Sequence, residues 1–199
     1  MSSVVGIVLA AGASRRMGTP KAALVLDGKT FVARVVDTLR AGGVGDVVVV
    51  TGEAEDATAR ALGAKERVAL LRNPEPERGQ LSSLKVALRH LATAAPEVEL
   101  AVVALVDHPA VRATTVSALI EAVRATPPAA IALPTHAGRR GHPVLFAHAV
   151  WDELLATPDD LGARAVVRAE PARVREVAVD DPGILLDVDT PDDLARLLR

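Results

Sequence analysis

With 199 residues, half of them hydrophobic, the chain has apolar material for one compact core, or at most two. A formal net charge of −2, from 23 basic and 25 acidic residues, leaves no cationic excess to hold a nucleic-acid backbone, and the aromatic residues Phe31, Phe146 and Trp151 are too few to stack bases. The absence of cysteine excludes disulfides, zinc thiolates, iron–sulfur clusters and a thiol nucleophile, so any metal must be held by oxygen or imidazole.

The opening Met-Ser-Ser carries no basic leader, and no apolar run approaches the roughly 18 residues of a transmembrane helix, so a cytoplasmic protein with no membrane partner is expected. Val4 to Ala10 is a continuous apolar run, as befits a strand buried on both faces of a parallel sheet. Phe31, Val32, Val35, Val36 and Leu39 then fall at helical spacing before the stop signal Gly42-Gly43. Asp46 to Thr51 and Leu100 to Val106 repeat the buried-strand pattern, and Val68–Leu71 and Ala129–Leu133 predict further strands. Helices are expected near Leu81–Ala94 and Thr114–Ala125. This alternation predicts an α/β layered fold, with ligands beyond the carboxyl ends of the strands, after Ala10, Val106 and Leu186. Past about Pro134 the rhythm changes to a Gly- and Arg-rich loop, a short strand at Val144–Phe146 and amphipathic segments around Ala149–Leu155 and Ala163–Arg168, read as a lobe on the same domain. No linker or internal repeat interrupts the chain, so residues 1–199 should fold as one unit.

The first strand runs into Leu9-Ala10-Ala11-Gly12-Ala13-Ser14-Arg15-Arg16-Met17-Gly18-Thr19-Pro20-Lys21. Small residues leave backbone N–H groups open, and Arg16 and Lys21 could neutralise the β- and γ-phosphates of a nucleoside triphosphate. The plainer alternative is a surface turn with solvated charges. The string is neither the P-loop nor the dinucleotide fingerprint.

Asp107, in Asp107-His108-Pro109, stands at a strand's carboxyl end, where a carboxylate can take magnesium or merely cap the next helix. Asp187 and Asp189 sit two apart on an extended segment before a helix started by Thr190 and Pro191, so both could face one cation. Gly79, Ser82 and Ser83 open a helix, where N–H groups and hydroxyls could meet a base, ribose or phosphate; capping alone also explains the serines. His142, in Arg140-Gly141-His142-Pro143, could order its loop or face a ligand. His90, His136 and His148 read as surface residues.

Taken together these strings resemble the MobA-like NTP transferases, whose pattern L-A-A/G-G, then R-M/L-G and a lysine, is matched from Leu9 to Lys21. The resemblance extends through Asp107-His108-Pro109 and Gly79–Leu84 to Asp187–Leu194, covering nearly the whole chain. It implies a Rossmann-like nucleotidyltransferase domain with a mostly parallel sheet, of nucleotide-diphospho-sugar transferase type. It further implies that Leu9, Ala10, Ala11 and Gly12 border the nucleotide, that Arg16 and Lys21 hold its phosphates, and that Gly79, Ser82 and Ser83 border its base. Asp107 and Asp189, with Asp187 beside them, would hold Mg2+, and Arg16, Lys21 and Asp107 would form the catalytic set. Gly141-His142-Pro143 and Asp160-Leu161-Gly162-Ala163-Arg164 are similar to segments of the molybdenum cofactor cytidylyltransferase-like branch, implying acceptor binding by His142 and Arg164; Pro158-Asp159 stands where that branch has a glycine. Ala11, where guanylyltransferases usually carry glycine, leans towards CTP as donor; the resemblance, with Gly141-His142-Pro143, favours molybdopterin as acceptor, with a molybdoenzyme or its chaperone as a further partner. Other readings are a guanylyltransferase or another small-phosphate nucleotidyltransferase, a nicotine-blue-type NAD(P)H oxidoreductase on the same scaffold, and a non-catalytic pterin chaperone.

Overall fold

The computed structural model describes residues 3–12, 18–125 and 129–198. Strand β1 (Ser3–Ala10) lies at the centre of an eight-stranded sheet, parallel both to β4 (Asp46–Thr51) and to β6 (Val98–Leu105). The hairpin of β2 (Val25–Leu26) and β3 (Lys29–Thr30) forms a separate two-stranded sheet. Outward from β4, β5 (Val68–Arg72) makes one edge, also parallel. On the other side β9 (Val144–Ala147) runs antiparallel to β6 and to β7 (Ile131–His136). Beyond β7 the parallel strand β10 (Val174–Ala178) closes the sheet, and the short β8 (Arg139–Arg140) pairs antiparallel with β7. The segment after Pro134 is therefore not a lobe, because β9 is inserted between two of the sheet's own strands.

The unbroken apolar run of β1 follows from its position, since both faces are covered. Val4, Val8 and Ala10 pack into one layer with α1 (Phe31–Ala41) and α4 (Ala113–Ala125), while Val5, Ile7 and Leu9 pack into the other with α3 (Gln80–Ala94), α5 (Trp151–Ala156) and α6 (Arg164–Ala169). Alternate residues of one strand thus anchor two cores, which only a continuous hydrophobic segment can do. Phe31, Val32 and Val36 of α1 are almost fully buried, and Thr30 starts that helix by accepting from the Ala33 N–H. Two short helices, α2 (Glu55–Leu62) and α7 (Pro191–Leu197), complete the described structure, the latter opened by a reciprocal capping box between Thr190 and Asp193.

Among the described residues no helix is long and apolar enough to cross a membrane. Two of the three sequence-marked places, after Ala10 and after Val106, do follow parallel strands; Leu186 instead follows a 3-10 turn at Pro182–Leu185. His148 is exposed against the Trp151 ring at 4.7 Å, but His136 is half-buried at the end of β7, with Nδ1 3.1 Å from the Val179 carbonyl oxygen.

Candidate active site

The carboxyl ends of β1 and β6 open into a cleft of about 330 Å³. Leu9, Ala10, Ala11 and Gly12 form its floor, Asp107 and Asp189 one wall, and Gly79, Gln80 and Ser83 the other, with Lys21 reaching in between. The structure thus brings into one space residues spread from Leu9 to Asp189.

Lys21 opens a 3-10 turn, Lys21–Ala23, packed by the buried Ala22. Its ammonium lies 2.8 Å from Asp107 Oδ2 and also donates to Asp189 Oδ1. Burial works against its charge, but the hydrogen bonds to these two carboxylates, reinforced by their negative charge, hold the Lys21 pKa above the ordinary lysine value. Asp107 follows β6 directly, and the Val188 N–H donates to the Asp107 carbonyl at 2.9 Å, so the two carboxylate-bearing loops are stitched together by backbone. With Val188 buried, Asp187 beside it is exposed, and it does not line the cleft.

The opposite wall rests on a residue that sequence reasoning passed over. Asn73, 3% exposed, donates from Nδ2 to both Ser82 Oγ and Ser83 Oγ at 2.9 Å and accepts from the Glu75 N–H at 3.0 Å. The signal for it was Asn73-Pro74 between a strand and a helix, a turn dipeptide whose side chain bonds locally. Gly79 then adopts φ 99°, a backbone state that a side chain disfavours, and serves as N-cap without a side-chain cap, leaving the start of α3 open towards the cleft. Ser82 bonds inward to Asn73 and the Gly79 carbonyl, while Ser83 also reaches the cleft.

A second cleft, about 320 Å³, adjoins the first and shares Leu9, Gln80 and Leu105 with it. His142 and Arg164 both line it, beside Val144 and Phe146, and Arg164 Nε points at the Leu161 carbonyl at 3.4 Å. The His142 ring faces that of His108, with centroids 5.2 Å apart and planes at 59°. Burial, aided by the neighbouring His108, lowers the His142 pKa to about 4, and burial likewise lowers that of His108. Both rings are therefore neutral near pH 7. Arg16 lies outside the described residues.

The arrangement suits a hard cation. Two carboxylates from separate loops converge on one ammonium, and Asp107 Oδ1 is buried with no hydrogen-bond partner among the described residues. Among those residues no three His, Asp or Glu side chains gather to enclose a metal alone, so water or a bound anion would supply further oxygen ligands.

A cleft at the strand ends, lined by small residues with a paired lysine and two carboxylates, defines a nucleotide-handling α/β protein. Residues 6–176 match the model of the MobA-like NTP transferase domain, and the chain belongs to that family. It is 34% identical to a nicotine blue oxidoreductase of Paenarthrobacter nicotinovorans, over 98% of this chain and 96% of that one. It is 29% identical to a molybdenum cofactor guanylyltransferase of Rhizobium meliloti strain 1021, over 96% and 88% of the two chains. Among solved structures it resembles Rv0371c of Mycobacterium tuberculosis H37Rv, at 36% identity and TM-score 0.83, covering 99% of this chain and 97% of that one. The manganese complex of Rv0371c superposes with TM-score 0.78 at 33% identity, over 99% and 98% of the two chains.

Proposed function

We propose that the chain transfers a nucleoside monophosphate from a nucleoside triphosphate, CTP in the first place, to a phosphorylated acceptor, molybdopterin or the molybdenum cofactor, releasing pyrophosphate. The observation that carries this reading is the Lys21 ammonium held between Asp107 and Asp189 beside the Leu9–Gly12 lining of the cleft. The triphosphate lies along that lining, with Lys21 facing the β- and γ-oxygens that leave as pyrophosphate. Arg16 joins them by family resemblance. Ser82 and Ser83, fixed by Asn73, shape the wall against the base. An acceptor phosphate in the second cleft, steered by Arg164 and His142, presents an oxygen in line with the α-phosphorus. Asp107 and Asp189 would hold Mg2+ together with triphosphate oxygens; when bound, the ion neutralises charge and orients the phosphates. No covalent enzyme intermediate is needed, because placement and charge suffice.

A second reading is favoured by one observation, the full-length likeness to a protein named nicotine blue oxidoreductase. Hydride transfer gives no task to two carboxylates sharing an ammonium, which is why it ranks second. The deciding assay supplies the protein with Mg2+ or Mn2+, molybdopterin, and CTP, GTP or ATP in parallel, with NAD(P)H oxidation by a dye followed alongside. Pyrophosphate release with CTP alone supports the full proposal, and release with GTP instead retains the transferase but reverses the base. No release, together with NAD(P)H oxidation, overturns the proposal.

A further inference from the structure

The loop between α5 and α6 carries an ion-pair cluster, buried at Lys85 and Asp159, for which nucleotidyl transfer itself has no use. Lys85 stands on the apolar stripe of α3 among Leu81, Leu84 and Leu88 and is only 8% exposed. A lysine ammonium is costly to bury unless it is paired and its hydrogens are satisfied. Lys85 Nζ donates to the Thr157 carbonyl at 2.6 Å and lies 2.7 Å from Asp159 Oδ1. Asp159 Oδ2 in turn lies 2.6 Å from Nη2 of Arg78, which also bonds Glu75. The Lys85 ammonium, with Arg78 beyond it, holds the Asp159 carboxyl below the ordinary carboxylate range.

The cluster's position gives it a consequence. Arg78 stands between Pro76 and Gly79, which line the first cleft, whereas Asp159 to Arg164 line the second. The loop's remaining backbone bonds are local, such as Leu161 N–H to the Pro158 carbonyl and Gly162 N–H to the Asp159 carbonyl. Its polar ties to α3 and to the Pro76–Arg78 turn before it run through Thr157 and Asp159. We propose that Asp159 is a positioning residue: through Lys85 and Arg78 it straps the second cleft's loop to the wall of the first and so sets the geometry in which the acceptor is held. This rests on reading the second cleft as the acceptor site.

The test replaces Asp159 by Asn, which preserves shape and removes charge. Hydrogen–deuterium exchange is read over residues 157–164 and over β6, and acceptor kinetics are read at saturating nucleotide. Exchange over 157–164 should rise about tenfold while β6 is unchanged, because a charged tie is lost from a loop whose other bonds are local. The acceptor KM should rise about tenfold, with kcat within about twofold and nucleotide affinity unchanged. Unchanged loop exchange overturns the strap, and a fall in kcat at constant KM overturns the positioning role. If the parent protein transfers no nucleotide at all, the transferase reading fails by itself while the exchange arm still decides the strap. Should Asp159→Asn fail to fold, Arg78→Ala, an exposed change, is expected to loosen the same peptides about threefold, and no loosening overturns the proposal.

Discussion

The Val188 N–H donates to the carbonyl of Asp107 across 81 residues of sequence, at 2.9 Å, and this backbone bond ties together the loops that carry the Asp107 and Asp189 carboxylates. It is independent of either side chain, so the carboxylates can be altered without unpicking the loops. Asp107→Asn should therefore leave the thermal transition close to that of the parent while turnover falls by orders of magnitude. Calorimetry and pyrophosphate release, run on the same preparation, check both halves; full turnover in the variant would remove Asp107 from the mechanism.

Lys21 occupies the space between the carboxylates that a metal would need. Removing its charge in Lys21→Met should have two opposite effects. Turnover should fall roughly 10²-fold or more, since charge stabilisation of the leaving group is lost. Mn2+ should bind the nucleotide-free protein more tightly, by about tenfold, because the carboxylates no longer have an ammonium partner. Titration followed by the manganese paramagnetic signal measures this, and an affinity that stays the same or weakens would mean that the pair is not the cation's site.

The parts of this molecule that sequence makes plain are those whose surroundings are uniform. β1, β4 and β6 are covered on both faces, so their unbroken apolar runs have one reading, and α1 shows its buried stripe from Phe31 to Leu39. β10 escapes because Val174–Ala178 is a sheet edge whose residues are mostly half-buried or exposed, leaving no pattern in Val-Arg-Glu-Val-Ala. The insertion of β9 between β6 and β7 is a matter of strand order, on which local periodicity is silent. In the cleft, Asp107 was legible because it stands at the end of β6, and Lys21 because it closes the Leu9–Lys21 string that runs on from β1. Lys85 was not, since its partners lie more than 70 residues away, although a lysine on the apolar stripe of α3 was a visible anomaly; Asn73 was passed over although its Asn-Pro turn was visible.

Gly141 shows how closely the Pro182–Leu185 turn is packed against the loop that carries His142. A Cβ there would stand 2.3 Å from the Ile184 carbonyl oxygen, at a point where the His142 N–H already bonds that oxygen at 3.0 Å. Gly141→Ala must therefore push the Pro182–Leu185 turn away. The expected cost is about 3 kcal/mol, near the upper range for overpacking, which for a chain of this length lowers Tm by roughly 6–12 °C. A Tm within a degree or two of the parent's would show that this turn yields freely.

The pH dependence of stability follows from the His108–His142 pair. In the folded protein the His142 pKa lies at about 4, lowered by burial and by His108, against about 6.5 for an unfolded histidine. Between those values the unfolded chain binds a proton that the folded one refuses, so folding is fully favoured above the unfolded pKa and weakens as pH falls towards 4. Asp107 opposes this by favouring the charged ring, but burial outweighs it. The urea midpoint should thus decline from pH 7 to pH 5, His142 contributing about 1 kcal/mol for each pH unit below roughly 6.5. His142→Gln removes the titrating ring and should flatten that decline relative to the parent. Equal slopes in parent and variant would show that the His142 ring titrates normally in the folded state.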